Sequence, residues 1–237
     1  MSDFKIGIDY GGTKIEGILI DSNGKEILRK RSTYEKNYES GLNTVKSLVS
    51  EFDKFTDQQN SVGVCIPGFS SYETGLVNNA NCIWINDKPF HKDLEKSLNR
   101  EIRIMNDANC FALSEAIDGS GANYKSVWGV IIGSGFGGSF VYEKKVIEGV
   151  NQIAGDWGHQ PLPYPTEEEI NSNVQCNVGN CKRPLCAEQF ISGIGFTKLF
   201  NEKYGTSLRT REIVALEANG DERAKKEFEL YEDRFAR

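Results

Sequence analysis

The apolar positions of this chain alternate first with period two and later with period 3.6. Phe4, Ile6 and Ile8 alternate with Lys5, Gly7 and Asp9, and Ile15, Gly17 and Leu19 repeat the pattern after a Gly11-Gly12 bend. That predicts two half-buried strands joined by a glycine turn. A polar strand is expected over 26–32. Leu42, Val45, Leu48, Val49 and Phe52 have helical spacing, so 38–56 reads as an amphipathic helix lying on a sheet. Ser61–Ile66 reads as a short buried strand closed by Pro67-Gly68, and 102–105 as a strand running into Asn106-Asp107 and a helix. Val127–Ile132 is a further buried strand, followed by a glycine-rich bend and a return strand. Helices are expected over 93–99, 195–204, 210–217 and 221–237, the last with Phe228, Tyr231 and Phe235 on one face. The glycine-rich, polar stretch 119–124 suggests a boundary between domains 1–118 and 119–237.

Composition narrows the class. At 237 residues the chain has room for one large domain or two small ones. A net charge of −6 argues against a nucleic-acid binder, which needs a basic face. No apolar run reaches the length of a membrane span, and Met1-Ser2-Asp3 starts no signal peptide, so a cytoplasmic protein is expected. Cys65, Cys82 and Cys110 stand alone in apolar surroundings and read as small buried hydrophobes. Cys176, Cys181 and Cys186 cluster, and a tetrahedral metal site would need a fourth ligand, for which His159 is the candidate.

The chemistry concentrates at two bends. At the first, Asp9, Gly11, Gly12, Thr13 and Lys14 put a carboxylate, two glycines, a hydroxyl and an ammonium on one turn, which suits a magnesium-bound polyphosphate. At the second, Gly133-Ser134-Gly135-Phe136-Gly137-Gly138 repeats the strand–glycine–strand design. Two such bends, one in each half of the chain, suggest two similar domains closing on one nucleotide. Asp107 is either a helix N-cap or a functional carboxylate, and the two roles are compatible. Asn78, Asn79 and Asn81 lie in a polar loop, where turn chemistry is the plain reading. Asp156 and His159 stand three apart at a bend, as a substrate grip or a metal site.

Taken together, 9–14 (DYGGTK), Pro67-Gly68, 106–109 (NDAN), 133–138, 156–159 and Cys186-Ala187-Glu188 with Ser192-Gly193 resemble the ROK family of bacterial sugar kinases, a branch of the actin-like ATPases. Within it, 79–90 and GHQPLPYP look most like the fructokinases. The resemblance implies an α/β fold of two ribonuclease-H-like domains around a cleft, and an ATP-dependent hexose kinase acting on fructose. Glucose, N-acetylglucosamine and N-acetylmannosamine are the alternatives, and a non-catalytic sugar-binding relative is a further one. It implies Asp107 as general base, with Gly68, Asn81, Asn106, Asp156, His159 and Glu188 holding the sugar. Asp9, Gly11, Gly12, Thr13 and Lys14, with Gly133, Ser134, Gly135, Gly137 and Gly138, would hold Mg-ATP. His159, Cys176, Cys181 and Cys186 would hold a structural zinc. Members are often dimers, so the resemblance allows a homodimer, while the residues themselves do not fix the oligomeric state.

Three departures from the family pattern carry expectations. Asp156 stands where Glu is usual, which shortens the reach to the sugar. Cys176 lies three residues too early for the usual C-x-C-G-x-x-G-C arrangement, which would alter or weaken zinc binding. The C-terminal part reads as truncated before the adenosine loop and final helix, so weak ATP binding is expected. Because the phosphate bend begins at Phe4, no helix-turn-helix domain of a repressor is expected ahead of it.

Overall fold

The computed structural model describes residues 4–172, 174–176 and 181–237. Residues 1–3, on which the signal-peptide reading rests, Asn173 in the polar stretch after Tyr164, and 177–180 between the first two clustered cysteines lie outside the described residues. Contacts divide the chain into one unit of Met1–Phe111 with Gly149–Ile153, and a second of Ala112–Glu148 with Ala154–Arg237.

The first unit opens with β1 (Lys5–Tyr10), β2 (Lys14–Ile20) and β3 (Glu26–Thr33), then α1 (Tyr38–Thr56) and β4 (Ser61–Ile66). The short strands β5 (Phe69–Ser70) and β6 (Val77–Asn78) follow, then a 3-10 turn at Ile83–Ile85, α2 (Phe90–Leu98), β7 (Arg103–Asn106) and α3 (Asp107–Ile117). Its sheet has the order β3-β2-β1-β4-β7. β1, β2 and β3 pair antiparallel, whereas β4 and β7 join parallel to β1. That is the ribonuclease-H-like pattern. The apolar set of each strand faces α1, which buries Leu42, Val45, Leu48, Val49 and Phe52 as its spacing demands. Asn37 caps α1 by accepting from Ser40 N at 2.8 Å. Of the three solitary cysteines only Cys82 is a buried core residue; Cys65 and Cys110 are half-buried.

The second unit continues with β8 (Ser126–Ile132), β9 (Phe136–Tyr142) and β10 (Lys145–Val146), a sheet of order β10-β9-β8. β9 begins at Phe136, so Gly137 and Gly138 are strand residues paired with Ile131 and Val130, and the bend itself is confined to 133–135. The polar stretch before the cysteines contains a short helix, α4 (Glu167–Asn171), started by a Thr166–Glu169 capping box. Then come α5 (Glu188–Ile191), α6 (Gly193–Tyr204), α7 (Thr210–Ala218) and α8 (Glu222–Ala236). Phe228 and Tyr231 of α8 pack against Phe196, while Phe235 meets Phe136 and Trp157. No helix among the described residues is long and apolar enough to cross a membrane.

Candidate functional site

In the first unit, β1 and the parallel strands β4 and β7 end side by side, and the candidate residues sit at those ends. Asp9 pairs in register with Cys65 of β4, and the Cys65 thiol donates to Asp9 Oδ1 at 3.5 Å. The Gly11–Lys14 bend is closed by Gly11 N donating to Lys14 O at 3.1 Å, and Tyr34 OH donates to Gly11 O at 2.8 Å. Gly11 therefore spends its N–H inside the turn; Thr13 and Lys14 remain exposed at its tip. A Cβ on Gly12 would lie 3.9 Å from Asn81 Oδ1, so the bend and the asparagine loop are neighbours.

Asp107 is the first residue of α3, but it does not cap the helix. Asn106 does, accepting from Asn109 N at 3.2 Å through Oδ1. The Asp107 carboxylate takes the N–H of Ala108 at 2.8 Å. Although its surface is open to solvent, crowding protein desolvates the carboxyl and raises its pKa. The Ala108 N–H opposes that shift and the Asp9 charge adds to it. The helix is capped by Asn106, and the Asp107 carboxylate carries the raised pKa that clusters at functional sites. Gly68, at φ +83°, carries the chain from β4 toward the asparagine loop. The Asn106 side chain donates to Gly68 O at 2.9 Å.

In the second unit, the bend at Gly133–Gly135 is closed by Gly133 N donating to Gly135 O at 2.9 Å. It lies against the start of α6, where Gly193 N donates to Gly133 O at 2.8 Å and Ser192 caps the helix through Gly195 N at 3.0 Å. A cavity of about 390 Å³ opens beside it, with Gly133, Ser134, Gly193, Thr210, Val214 and Phe228 among its walls. Glu188, buried at the start of α5, accepts the Phe136 N–H at 3.1 Å, and its Oε2 stands 3.9 Å from His159 Nε2. Asp156 lies alongside Gly137; desolvation raises its pKa, and His159 pulls the other way.

His159 presents its other ring nitrogen to the thiols. Nδ1 is 3.5 Å from Cys186 Sγ and 3.8 Å from Cys176 Sγ. The four donor atoms of His159, Cys176, Cys181 and Cys186 all lie within 4.8 Å of one another. Donors about 2.3 Å from a tetrahedral zinc would stand about 3.8 Å apart. The donor set fits zinc in both chemistry and spacing, and the early position of Cys176 does not keep it out of the cluster. With Nδ1 toward the cluster, Nε2 faces the Glu188 carboxylate at 3.9 Å, beyond hydrogen-bond reach but on the side where an outer-shell carboxylate would stand.

Sequence reasoning missed Asn86, whose side chain binds Ala80 in both directions, and Tyr34, which holds the first bend. No periodicity marks either residue, because each acts through one long-range or loop-specific bond.

The model of the ROK family matches residues 5–237. The N-acetyl-D-glucosamine kinase of Pasteurella multocida (strain Pm70) is 38% identical over 232 residues, covering 96% of this chain and 75% of that protein. The N-acetyl-D-glucosamine kinase of Citrobacter koseri is 39% identical over 231 residues, covering 97% and 76%. Among solved structures, a ROK hexokinase from Thermus thermophilus superposes with a TM-score of 0.79 at 22% identity, over 94% of this chain and 72% of that one. A ROK family glucokinase from Streptomyces griseus gives a TM-score of 0.74 at 21% identity, over 96% and 75%. At these identities the structures speak for the fold, and the family match together with the sequence relatives establishes kinship: the chain belongs to the ROK family.

Proposed function

We propose that this protein is an ATP-dependent sugar kinase and that its substrate is N-acetyl-D-glucosamine. The relatives at 38–39% identity carry that name, which supports the amino sugar over the fructose suggested by the loop sequences. The observation that carries the reading is local: β7 delivers Asp107 to the start of a helix that Asn106 already caps, so the carboxylate is left for chemistry. Asp107 takes the proton of the sugar hydroxyl as that oxygen attacks the γ-phosphate. General-base help of this kind is worth roughly 10²–10⁴ in rate. Phosphoryl transfer otherwise asks for positioning and charge neutralisation. Asp9 binds magnesium, directly or through water, while Gly12, Thr13 and Lys14 meet phosphate oxygens. Gly133, Ser134 and Gly135, beside the start of α6 and the adjoining cavity, suit the nucleotide. Gly68 and Asn81 are proposed as sugar contacts, and the family resemblance gives the same role to Asp156, His159 and Glu188. Zinc held by His159, Cys176, Cys181 and Cys186 would fix the histidine ring.

A coupled assay for ADP release over glucose, fructose, mannose, N-acetylmannosamine and N-acetylglucosamine tests this. The highest kcat/KM is expected with N-acetylglucosamine. Asp107→Asn is expected to lose at least a hundredfold in kcat with its fold intact. Wild-type turnover in Asp107→Asn would remove the base, and a preference for fructose would restore the reading of the loop sequences.

A further inference from the structure

Tyr34 holds the first bend from outside it. β3 ends at Thr33, which pairs with Lys14 of β2, so the register of the sheet carries the next residue, Tyr34, to the side of the Gly11–Lys14 bend. Its hydroxyl donates to Gly11 O at 2.8 Å. Burial raises the pKa of that hydroxyl, which keeps it a donor. The Tyr34 ring packs in turn on two others: Tyr10, with centroids 5.5 Å apart, and Trp84, edge to face at 6.0 Å. Tyr10 is fully buried and has no room to give way. It meets Phe90 edge to face, and a Cβ on Gly41 of α1 would fall 2.0 Å from its hydroxyl. Trp84 lies in the 3-10 turn that follows Asn81 and Cys82, and its Nε1–H donates to the same Tyr10 hydroxyl at 3.2 Å. Bend and loop also meet directly, since a Cβ on Gly12 would lie 3.5 Å from Cys82 Sγ and 3.9 Å from Asn81 Oδ1. The phosphate bend and the asparagine loop are thus joined at two places, through Gly12 and through Tyr34. Two places fix orientation, where one fixes only distance.

We infer that Tyr34 is a positioning residue for phosphoryl transfer: by tying Gly11 to Tyr10 and Trp84, it sets Thr13 and Lys14 at the tip of the bend relative to Asn81. The inference rests on the reading of that bend as the phosphate site. No motif marks Tyr34, and it acts through Gly11 rather than on a substrate. The physical reason is that the bend has little of its own to hold it still. Gly11 and Gly12 have no side chains to pack, and glycine is the residue with the most backbone freedom to lose. Thr13 and Lys14 are exposed, and a single N–H, that of Gly11, closes the turn onto Lys14 O. A displacement of about 1 Å at a reacting group costs on the order of a hundredfold in rate, so side chains on such a bend need a support from elsewhere in the fold. A hydroxyl bonded to the bend's own carbonyl, on a ring wedged between a buried tyrosine and the loop's tryptophan, supplies it.

Tyr34→Phe removes the hydroxyl and keeps the ring. Trp84→Phe keeps a ring and removes the N–H to Tyr10. Steady-state kinetics with N-acetylglucosamine and MgATP should show kcat/KM for ATP down about three- to tenfold in Tyr34→Phe, the range of one neutral hydrogen bond, with the sugar KM within about twofold of wild type. A lower melting temperature with unchanged kcat/KM for ATP would overturn the inference, as a purely structural role. A loss confined to the sugar KM would overturn it as well. The double variant tests the connection to the loop. If hydroxyl and indole act on one bend through Tyr10, the double loss is smaller than the product of the two single losses; losses that simply multiply would break that connection. A further readout needs no turnover. The Gly11 amide, which donates to Lys14 O, should exchange its hydrogen at least about fivefold faster in Tyr34→Phe. Unchanged exchange there refutes the support. Were the wild-type protein inactive on every sugar, the kinase reading would fail, and the exchange rate would still decide whether Tyr34 holds the bend.

Discussion

Removing the charge of Glu169 should cost this protein about 3 kcal/mol at neutral pH, and nearly all of that cost should vanish in acid. Glu169 is only 4% exposed, yet its carboxylate binds two guanidiniums. Arg234 Nε and Arg237 Nη2 both donate to Oε1 at 2.8 Å; Arg237 Nη1 reaches Oε2 at 3.0 Å, and Thr166 N reaches it at 2.8 Å. Burial alone would raise the pKa of such a carboxyl, but the two arginines and the Thr166 N–H outweigh it and hold it at about 2, against an ordinary 4.5. The folded pKa lies below the unfolded one, so the stabilisation is complete above about pH 4.5 and is lost as pH falls toward 2. At about 1.4 kcal/mol per unit the shift is worth roughly 3 kcal/mol at pH 7, falling to about 1.4 kcal/mol at pH 3. Glu169→Gln keeps the shape and takes the counter-charge from Arg234, while Arg237 keeps only Asp233 at 3.2 Å. Urea denaturation of the two proteins at pH 7, 5, 4 and 3 should therefore show a gap of about 3 kcal/mol at pH 7 and 5 that narrows steadily below pH 4.5. A gap that stays constant across this range would refute the ionic account. So would one smaller than about 1 kcal/mol at pH 7, since exposed pairs are worth up to about that.

Gly158→Ala should be among the most damaging single changes, because its Cβ would fall 1.6 Å from Phe136 O, a backbone atom that no side-chain rotation can clear. A loss on the order of 3 kcal/mol or more in chemical denaturation is expected, and a loss under about 1 kcal/mol would mean the 156–159 segment is free to shift. Protein purified without chelator should carry one zinc per chain by elemental analysis, and Cys186→Ser should carry far less; an equal content in the two would place the metal elsewhere. The acid limb of the kcat/KM profile, read as Asp107 losing its proton, should lie above the ordinary aspartate value of 3.8, because desolvation raises that carboxyl. A limb at or below 3.8 would assign the titration to another group.

What the sequence showed and what it hid follow from the range of the forces involved. Period-two and period-3.6 patterns are local, so β4 and α1 occupy the very spans their alternation marks, 61–66 and 38–56. The second bend read as six residues of loop because glycine has no side chain to alternate. Backbone pairing with β8 makes Gly137 and Gly138 strand. Nothing in the polar composition around α4 marks Glu169 as buried, because its partners Arg234, on α8, and Arg237, just past its end, come from the other end of the second unit. The identity of the capping residue at α3 was equally hidden. Asn106 and Asp107 are both good caps by type, and only the geometry of β7 decides which of them turns its oxygen to the helix.

The two bends resemble each other in backbone but not in charge, and the difference divides their proposed roles. The first carries Asp9 and Lys14, and its Gly11 N–H is consumed inside the turn. Each bend spends an N–H on its own closure, Gly11 in the first and Gly133 in the second, so what sets the first apart is its side chains: a carboxylate suited to a cation, a hydroxyl and an ammonium suited to phosphate. The second, 133–138, has no charged residue at all. Whatever attraction it offers an anion must come from backbone dipoles and from the twelve-residue helix α6 whose start it touches. Its framing is correspondingly stiffer: Glu188 takes the N–H of Phe136, and Gly193 donates to Gly133 O. Dipoles fall off faster with distance than charges, so a bend that works through them must be held closer to its ligand, whereas one that works through a lysine tolerates slack. Glycines without side chains at 133 and 135, buttressed by a buried carboxylate behind them, are what close approach requires.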